Sequence, residues 1–212
     1  MKPPSRRFAG FTSLVYSVYM SADTTASRIV AAARKLLDSE GADAVTMRRV
    51  AQAVSITAMA IYRHYPNREG LLNAVANAGF EELAGQLAGK QFSGTIKERL
   101  TLMADIYVDH ALHNPKLFEL MFLMPRAAAR RYPQDFKAGH SPTANLMVDL
   151  IREGMASGYF REDDAWEITF EMGGLSHGLI MLYLGGRMDV SPQEFRELYK
   201  RSFMRYIHGI CN

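Results

Sequence analysis

Apolar residues return at helical spacing along most of the chain, and no run alternates in the manner of a half-buried strand. Ile29, Ala33, Leu36 and Leu37 mark the inner face of a first helix, which Asp23 or Thr24 can cap and Gly41 can end. Thr46 can cap a short second helix carrying Val50 and Val54. After the tight turn "AVSIT", Thr57 can cap a third with Ile61 and Tyr65 inward. Pro66 stops that helix, because its ring disfavours helical geometry in the residue before it, and Asn67 caps a long fourth helix to about Gly89.

Five further helices come next, with clear punctuation. "SGT" at 93–95 opens one that runs to about His113, and "NPKLFELMFLMP" is a short one between prolines. Ser141-Pro142 sets a cap before Pro at the first helical position, where its fixed φ suits the helix. Asp163 opens the apolar segment "DAWEITFEMGGLSHGLIMLYLGG", and Ser191 with Glu194 forms a capping box for a last amphipathic helix. The pattern predicts an all-α chain of about nine helices. Three short helices over residues 21–68 are followed by a larger helical bundle over 69–212.

Composition fits that picture. With 212 residues, 48% of them apolar, the chain can bury one sizeable core or one core with a small satellite domain, and 22% charged residues suit a soluble globular protein. The one cysteine, Cys211, excludes an internal disulfide framework or a Cys-built metal site. Thirteen Met residues suit a deformable apolar interior. No stretch approaches the roughly 20 uncharged apolar residues of a membrane-spanning helix.

Charge is uneven. Residues 1–68 hold 10 Lys and Arg against 4 Asp and Glu, whereas residues 69–212 hold 15 against 18. A basic first third on an acidic remainder points to a polyanion met by the first part alone. Residues 1–20 carry Lys2, Arg6 and Arg7 before an apolar run, as a secretory signal would. Polar residues break that run, and Met20 would fill a cleavage position that wants a small side chain. The stretch is read instead as a disordered extension, with Met20 an alternative start.

Two short helices joined by a turn form a helix-turn-helix, whose second helix enters the major groove. The stretch "TASRIVAAARKLLDSEGADAVTMRRVAQAVSITAMAIYRHYPNREGLLNAV", residues 24–75, closely resembles the N-terminal domain of the TetR family of transcriptional repressors. That resemblance implies a homodimer that binds a double-stranded DNA operator. It places Arg48 where the family often reaches the groove, Thr57, Tyr62 and His64 where it holds phosphates, and Arg68 where it usually has Lys. Ser55 departs from the usual Gly of the turn and is strained if the position needs a positive φ. Residues 58–60 offer no hydrogen-bonding side chain, so Ala58, Met59 and Ala60 are read as a shape-reading surface, with apolar contact to thymine methyl groups. Arg48 then becomes the candidate for bidentate contact to guanine, while Arg63 and Arg49 add charge nearby.

The resemblance continues more loosely through "YVDHALHNPKLFELMF" and "GGLSHG". It implies a small-molecule effector site in the second domain and a dimer seam built from the last two helices. Gly173, Gly174 and Gly178 cost helix stability, which suggests close approach by another helix. The last helix carries an apolar stripe of Phe195, Leu198, Phe203 and Ile207. Candidate effector contacts are Met103, Tyr107, His110, Phe118, Phe122, Met147, Ile151, Trp166, Phe170 and His177, suited to a largely apolar molecule. Taken singly, such residues at helical spacing also read as core.

Other chemistry finds little support. "GLSHG" fits the nucleophile-elbow pattern, yet helical periodicity runs through it, where the elbow needs a strand followed by a strained turn. His110 and His113 share a helix face but lack a partner motif for metal. The expectation is a cytoplasmic, ligand-responsive, dimeric DNA-binding repressor with no catalytic residues, no cofactor and no metal. An enzyme built on a helical bundle is the rival, and an activator on the same fold is the third reading.

Overall fold

The computed structural model describes residues 24–89 and 93–212. The described residues form two compact units that divide between Val75 and Ala76. Residues 1–20, read as an extension from their composition, lie outside them.

The first unit contains α1 (Thr25–Glu40), α2 (Met47–Ala53), α3 (Ala58–Tyr62) and the first turns of α4 (Arg68–Ala88). Ile29, Ala33, Leu37, Val50 and Ile61 are almost completely buried and form its core, while Leu36 and Tyr65 lie at its margin. Hydroxyls of Thr24, Thr46 and Thr57 accept from the backbone N–H of Ser27, Arg49 and Ala60. Each such cap contributes about 1 kcal/mol. Such short helices depend on these caps and on the shared core, because isolated helices of this length are unstable in water. Asn67 caps α4 by accepting from Gly70 N–H at 2.8 Å. Ser55, in the turn between α2 and α3, has φ of +59°.

The second unit holds the rest of α4 and six further helices. These are α5 (Ile96–His113), α6 (Pro115–Phe118), α7 (Gln134–Lys137), α8 (Pro142–Ala156), α9 (Ala165–Leu184) and α10 (Pro192–Ile210). Ten helices thus stand among the described residues, where the periodicity predicts about nine. The additional one, α7, is a single turn in a segment with no apolar repeat. Between α6 and the loop after it the backbone widens into a π turn over Glu119–Leu123, closed by Met124 N–H donating to the Glu119 carbonyl. Thr95 and Glu98 make a full capping box for α5, as Ser191 and Glu194 do for α10. The cap of α9 is Asp164 rather than Asp163; its carboxylate accepts from Trp166 and Glu167 N–H.

The long helices pack through apolar stripes and a few cross-links. Tyr199 on α10 donates to the Ser176 hydroxyl on α9 at 2.9 Å, inside the core. Gly79 lets α4 lie close against the π turn: a Cβ there would stand 2.7 Å from the Met121 sulfur. Arg196–Asp109 and Lys200–Asp105 join α10 to α5 at 2.7 and 3.0 Å. These pairs are partly or largely exposed, so they fix register more than they add stability. No helix among the described residues is long and apolar enough to cross a membrane.

Candidate functional site

In the first unit, α2, the turn and α3 present one exposed surface. Met59 is 72% exposed and Tyr62 49% exposed, unusual for large side chains on a helix five residues long. Ala58, Thr57, Arg63 and His64 are exposed beside them, and Ala60 is half-buried. Arg48 and Arg49 occupy the first turn of α2, where the helix macrodipole disfavours positive charge. Arg49 is compensated: its two terminal nitrogens grip the Glu40 carboxylate at 2.9 and 2.6 Å. Arg48 is exposed and has no such partner among the described residues. Arg68 is committed inward, donating to the carbonyls of Val45 and Ala42 at 2.8 and 2.6 Å. It therefore braces the α1–α2 connection, with Asp43 3.5 Å away.

The second unit holds a partly open cavity of about 370 Å³. Its walls come from α4 (Phe80, Leu87), α5 (Met103, Tyr107), the π turn (Met121, Phe122), the loop after it (Arg126, Arg130, Tyr132), α7 (Phe136), α8 (Met147), α9 (Phe170, His177) and α10 (Tyr199, Phe203). The Tyr107 hydroxyl lies 2.5 Å from His177 Nε2. Burial pushes the His177 pKa down to about 4, so its ring is neutral near pH 7. Burial also raises Tyr107 well above its ordinary value and keeps its proton in place. The phenol therefore donates to Nε2, which leaves Nδ1–H as a donor. Gly173 and Gly174 border the same space, and a Cβ on either would meet nothing within 4 Å beyond the adjoining residues and the backbone of its own helix. Side chains there would intrude on the cavity.

Of the ten candidate effector contacts, Met103, Tyr107, Phe122, Met147, Phe170 and His177 line this cavity. Phe118 stands behind the wall, its ring 4.8 Å from Phe122 and 5.7 Å from His177. Trp166 lies beneath α7, with its ring 6.4 Å from Phe136 and the Arg152 guanidinium 5.8 Å above it. Ile151 is fully buried in the core and outside the lining. His110 is also outside it: buried, its Nδ1 stands 4.0 Å from the Glu82 carboxylate on α4.

Both halves of the chain match described protein families. Residues 29–75 match the model for bacterial regulatory proteins of the tetR family, and residues 100–206 match that for the tetracyclin repressor-like C-terminal domain. The chain belongs to the TetR family. It is a DNA-binding transcriptional regulator. It is 23% identical to the uncharacterized HTH-type transcriptional regulator YvkB of Bacillus subtilis, an alignment covering 88% of this chain and 97% of that one. A Rhodococcus sp. RHA1 structure of a protein with unknown function superposes with a TM-score of 0.75 at 26% identity, over 91% of this chain and 98% of that one. A TetR variant from Acinetobacter baumannii AYE, solved in complex with minocycline, shares the fold with a TM-score of 0.64 at 20% identity, over 89% and 96% of the two chains.

Within a TetR-family frame, the residues that sequence reasoning missed are informative. Phe80, Arg126, Arg130, Tyr132 and Phe136 all line the cavity. Four of them lie in or beside a loop with no repeat to assign them a face. The three arginines in "PRAAARRYP" were the available signal, because that loop comes directly after an apolar helix. The departure at Ser55 is clear as well: it holds a left-handed conformation that a glycine would adopt without strain.

Proposed function

We propose that this protein is a ligand-responsive repressor. It would bind a near-palindromic operator as a homodimer and leave it when a small molecule fills the cavity of the second unit. The observation that carries this reading is the pairing of two features in one chain. An exposed short-helix surface holds an uncompensated Arg48, and the second unit holds an aromatic-walled cavity. On that surface, Met59 and Ala58 offer apolar contact to thymine methyl groups, and Arg48 supplies the hydrogen-bonding group for guanine. Thr57, Tyr62, Arg63 and His64 are suited to meet phosphates. Arg68 would act through the carbonyls it holds, fixing α2 rather than reaching DNA with a free guanidinium.

Dimerisation would use α9 and α10. Met181, Leu182 and Leu184 expose apolar surface at the end of α9, and Gly178 presents bare backbone between them and the cavity. The effector can release DNA only through its differential affinity for two conformers. Helix α4 contributes Arg68 and Leu71 to the first unit and Phe80 to the cavity wall, which makes it the element that would couple them.

The test starts from purified protein and sheared chromosomal DNA. Sequencing the retained fragments should return a shared near-palindrome, and a reporter driven from it should rise when the gene is deleted. Retention without any shared sequence would overturn the operator reading. A reporter that falls on deletion would make the protein an activator.

A further inference from the structure

The charges around the cavity identify what it is built to hold. Twenty-five of the described residues line it, and among these stand two arginines, Arg126 and Arg130, with no lysine, aspartate or glutamate. Both arginines are half-buried. Arg126 donates through Nε and one terminal nitrogen to the Leu120 and Met121 carbonyls, at 3.1 and 2.9 Å, and so closes the end of the π turn. Arg130 donates through Nε to the His140 carbonyl at 2.7 Å and lies over the Phe80 ring, 4.7 Å from its centroid. The two terminal nitrogens of Arg130 make no hydrogen bond among the described residues. They form the end-on fork that takes a carboxylate through two parallel bonds.

The acids nearest Arg130 do not fill that fork. Asp135 accepts from Arg131 N–H at 2.7 Å and faces His140 Nδ1 at 3.4 Å, while Glu81 is exposed on α4. Burial lowers the Arg130 pKa more than these two acids raise it, so the site favours an anion brought from outside. From Arg130 the wall continues as rings: Phe80 meets Phe122 edge-on at 5.2 Å, and Phe122 lies 4.5 Å from His177. A positive end thus joins an aromatic trough that ends at the Tyr107–His177 pair.

We propose that the cavity takes an organic acid with an apolar body, its carboxylate held by Arg130 and its body lying along the Phe80–Phe122 wall. The inference rests on the effector-cavity reading and names the class of effector. It narrows the expectation of a largely apolar ligand to an amphipathic anion.

The test is calorimetric titration of the full chain with biphenyl-4-acetate and decanoate, each beside its neutral methyl ester. Wild-type protein should bind at least one of the acids about tenfold or more tightly than the matching ester, the advantage of a charge-assisted bidentate bond over a neutral contact. Arg130→Gln should erase the preference, bringing acid affinity down to that of the matching ester or below, and Arg130→Lys should keep part of it. Equal binding of acid and ester, or binding of neither acid, overturns the proposal. So does an Arg130→Gln variant that keeps its melting temperature and still prefers the acid. If that variant does not fold, the acid-to-ester ratio of the wild type decides alone. A gel shift separates this inference from the reading beneath it. An acid that binds without releasing operator leaves the cavity chemistry standing and removes the release mechanism. An ester that binds tighter than its acid and releases operator does the reverse.

Discussion

The phenol of Tyr107 on α5 and the imidazole of His177 on α9 share a 2.5 Å hydrogen bond at one end of the cavity. Burial holds His177 near a pKa of about 4, against an ordinary value of 6.5 in the unfolded chain. The unfolded chain therefore binds a proton at this residue first as pH falls. The stability that the neutral ring contributes is complete above pH 6.5 and is lost progressively between 6.5 and about 4. The loss amounts to roughly 3 kcal/mol at most. Urea denaturation at pH 7 and pH 4.5 should show a smaller pH dependence in His177→Gln than in wild type. An identical dependence would place the acid sensitivity elsewhere.

Ser55 carries the strain that glycine would relieve. A non-glycine residue in the left-handed region costs about 1–2 kcal/mol, and the greater freedom of glycine in the unfolded chain returns part of it. Ser55→Gly is expected to stabilise the first unit by about 0.5–1 kcal/mol, read from urea midpoints or amide exchange in α2 and α3. A lower midpoint would mean that the serine side chain contributes more than its backbone costs.

Arg48→Ala should relax sequence preference at one base pair per half-site, at about 1–3 kcal/mol there. Affinities measured across single-base operator variants separate the cases. A uniform loss at every position would assign Arg48 to a phosphate. In contrast, Arg68→Ala is expected to lower stability as well as affinity, because two carbonyls lose their donor.

Gly178→Leu has room in the isolated chain, since nothing beyond the adjoining residues and the backbone of its own helix lies within 4 Å of its Cβ position. Leucine also favours the helix by about 1 kcal/mol over glycine. The single chain should therefore fold at least as well, while a seam between copies would be overpacked by about 1–3 kcal/mol. Light scattering should show dissociation at concentrations where wild type is paired, with operator affinity falling in step. A stable dimer with unchanged affinity would move the seam away from α9.

The caps were the most legible part of the fold. Thr46, Thr57 and Ser191 work through local hydrogen bonds that residue type and spacing suffice to specify. The cavity was legible in part. Tyr107 and His177 meet because each lies on an apolar stripe, but His110 shows the limit of that reasoning. Three residues along a helix amount to about 300°, so His110 points some 60° away from Tyr107. That rotation is enough to turn it from the cavity toward Glu82. Arg126 and Arg130 escaped because the loop that carries them has no period. Their positions depend on carbonyls of the π turn and on His140, which only the folded chain brings near.

The π turn at Glu119–Leu123 also bears on how the binding range of such a protein can drift over generations. Its wide loop accommodates one residue more than an α-helix would in the same span, and turns of this kind concentrate at functional sites. Removing a single residue there would restore ordinary helical winding and rotate the side chains beyond the deletion by about 100°. Phe122 would swing off the wall and the two carbonyls held by Arg126 would shift with it, while the buried stripes of α5, α9 and α10 would stay as they are. The shape of the chamber thus hangs on one residue count in one short segment. A lineage could reshape the chamber by indel, with the scaffold and the short-helix surface of the first unit inherited intact.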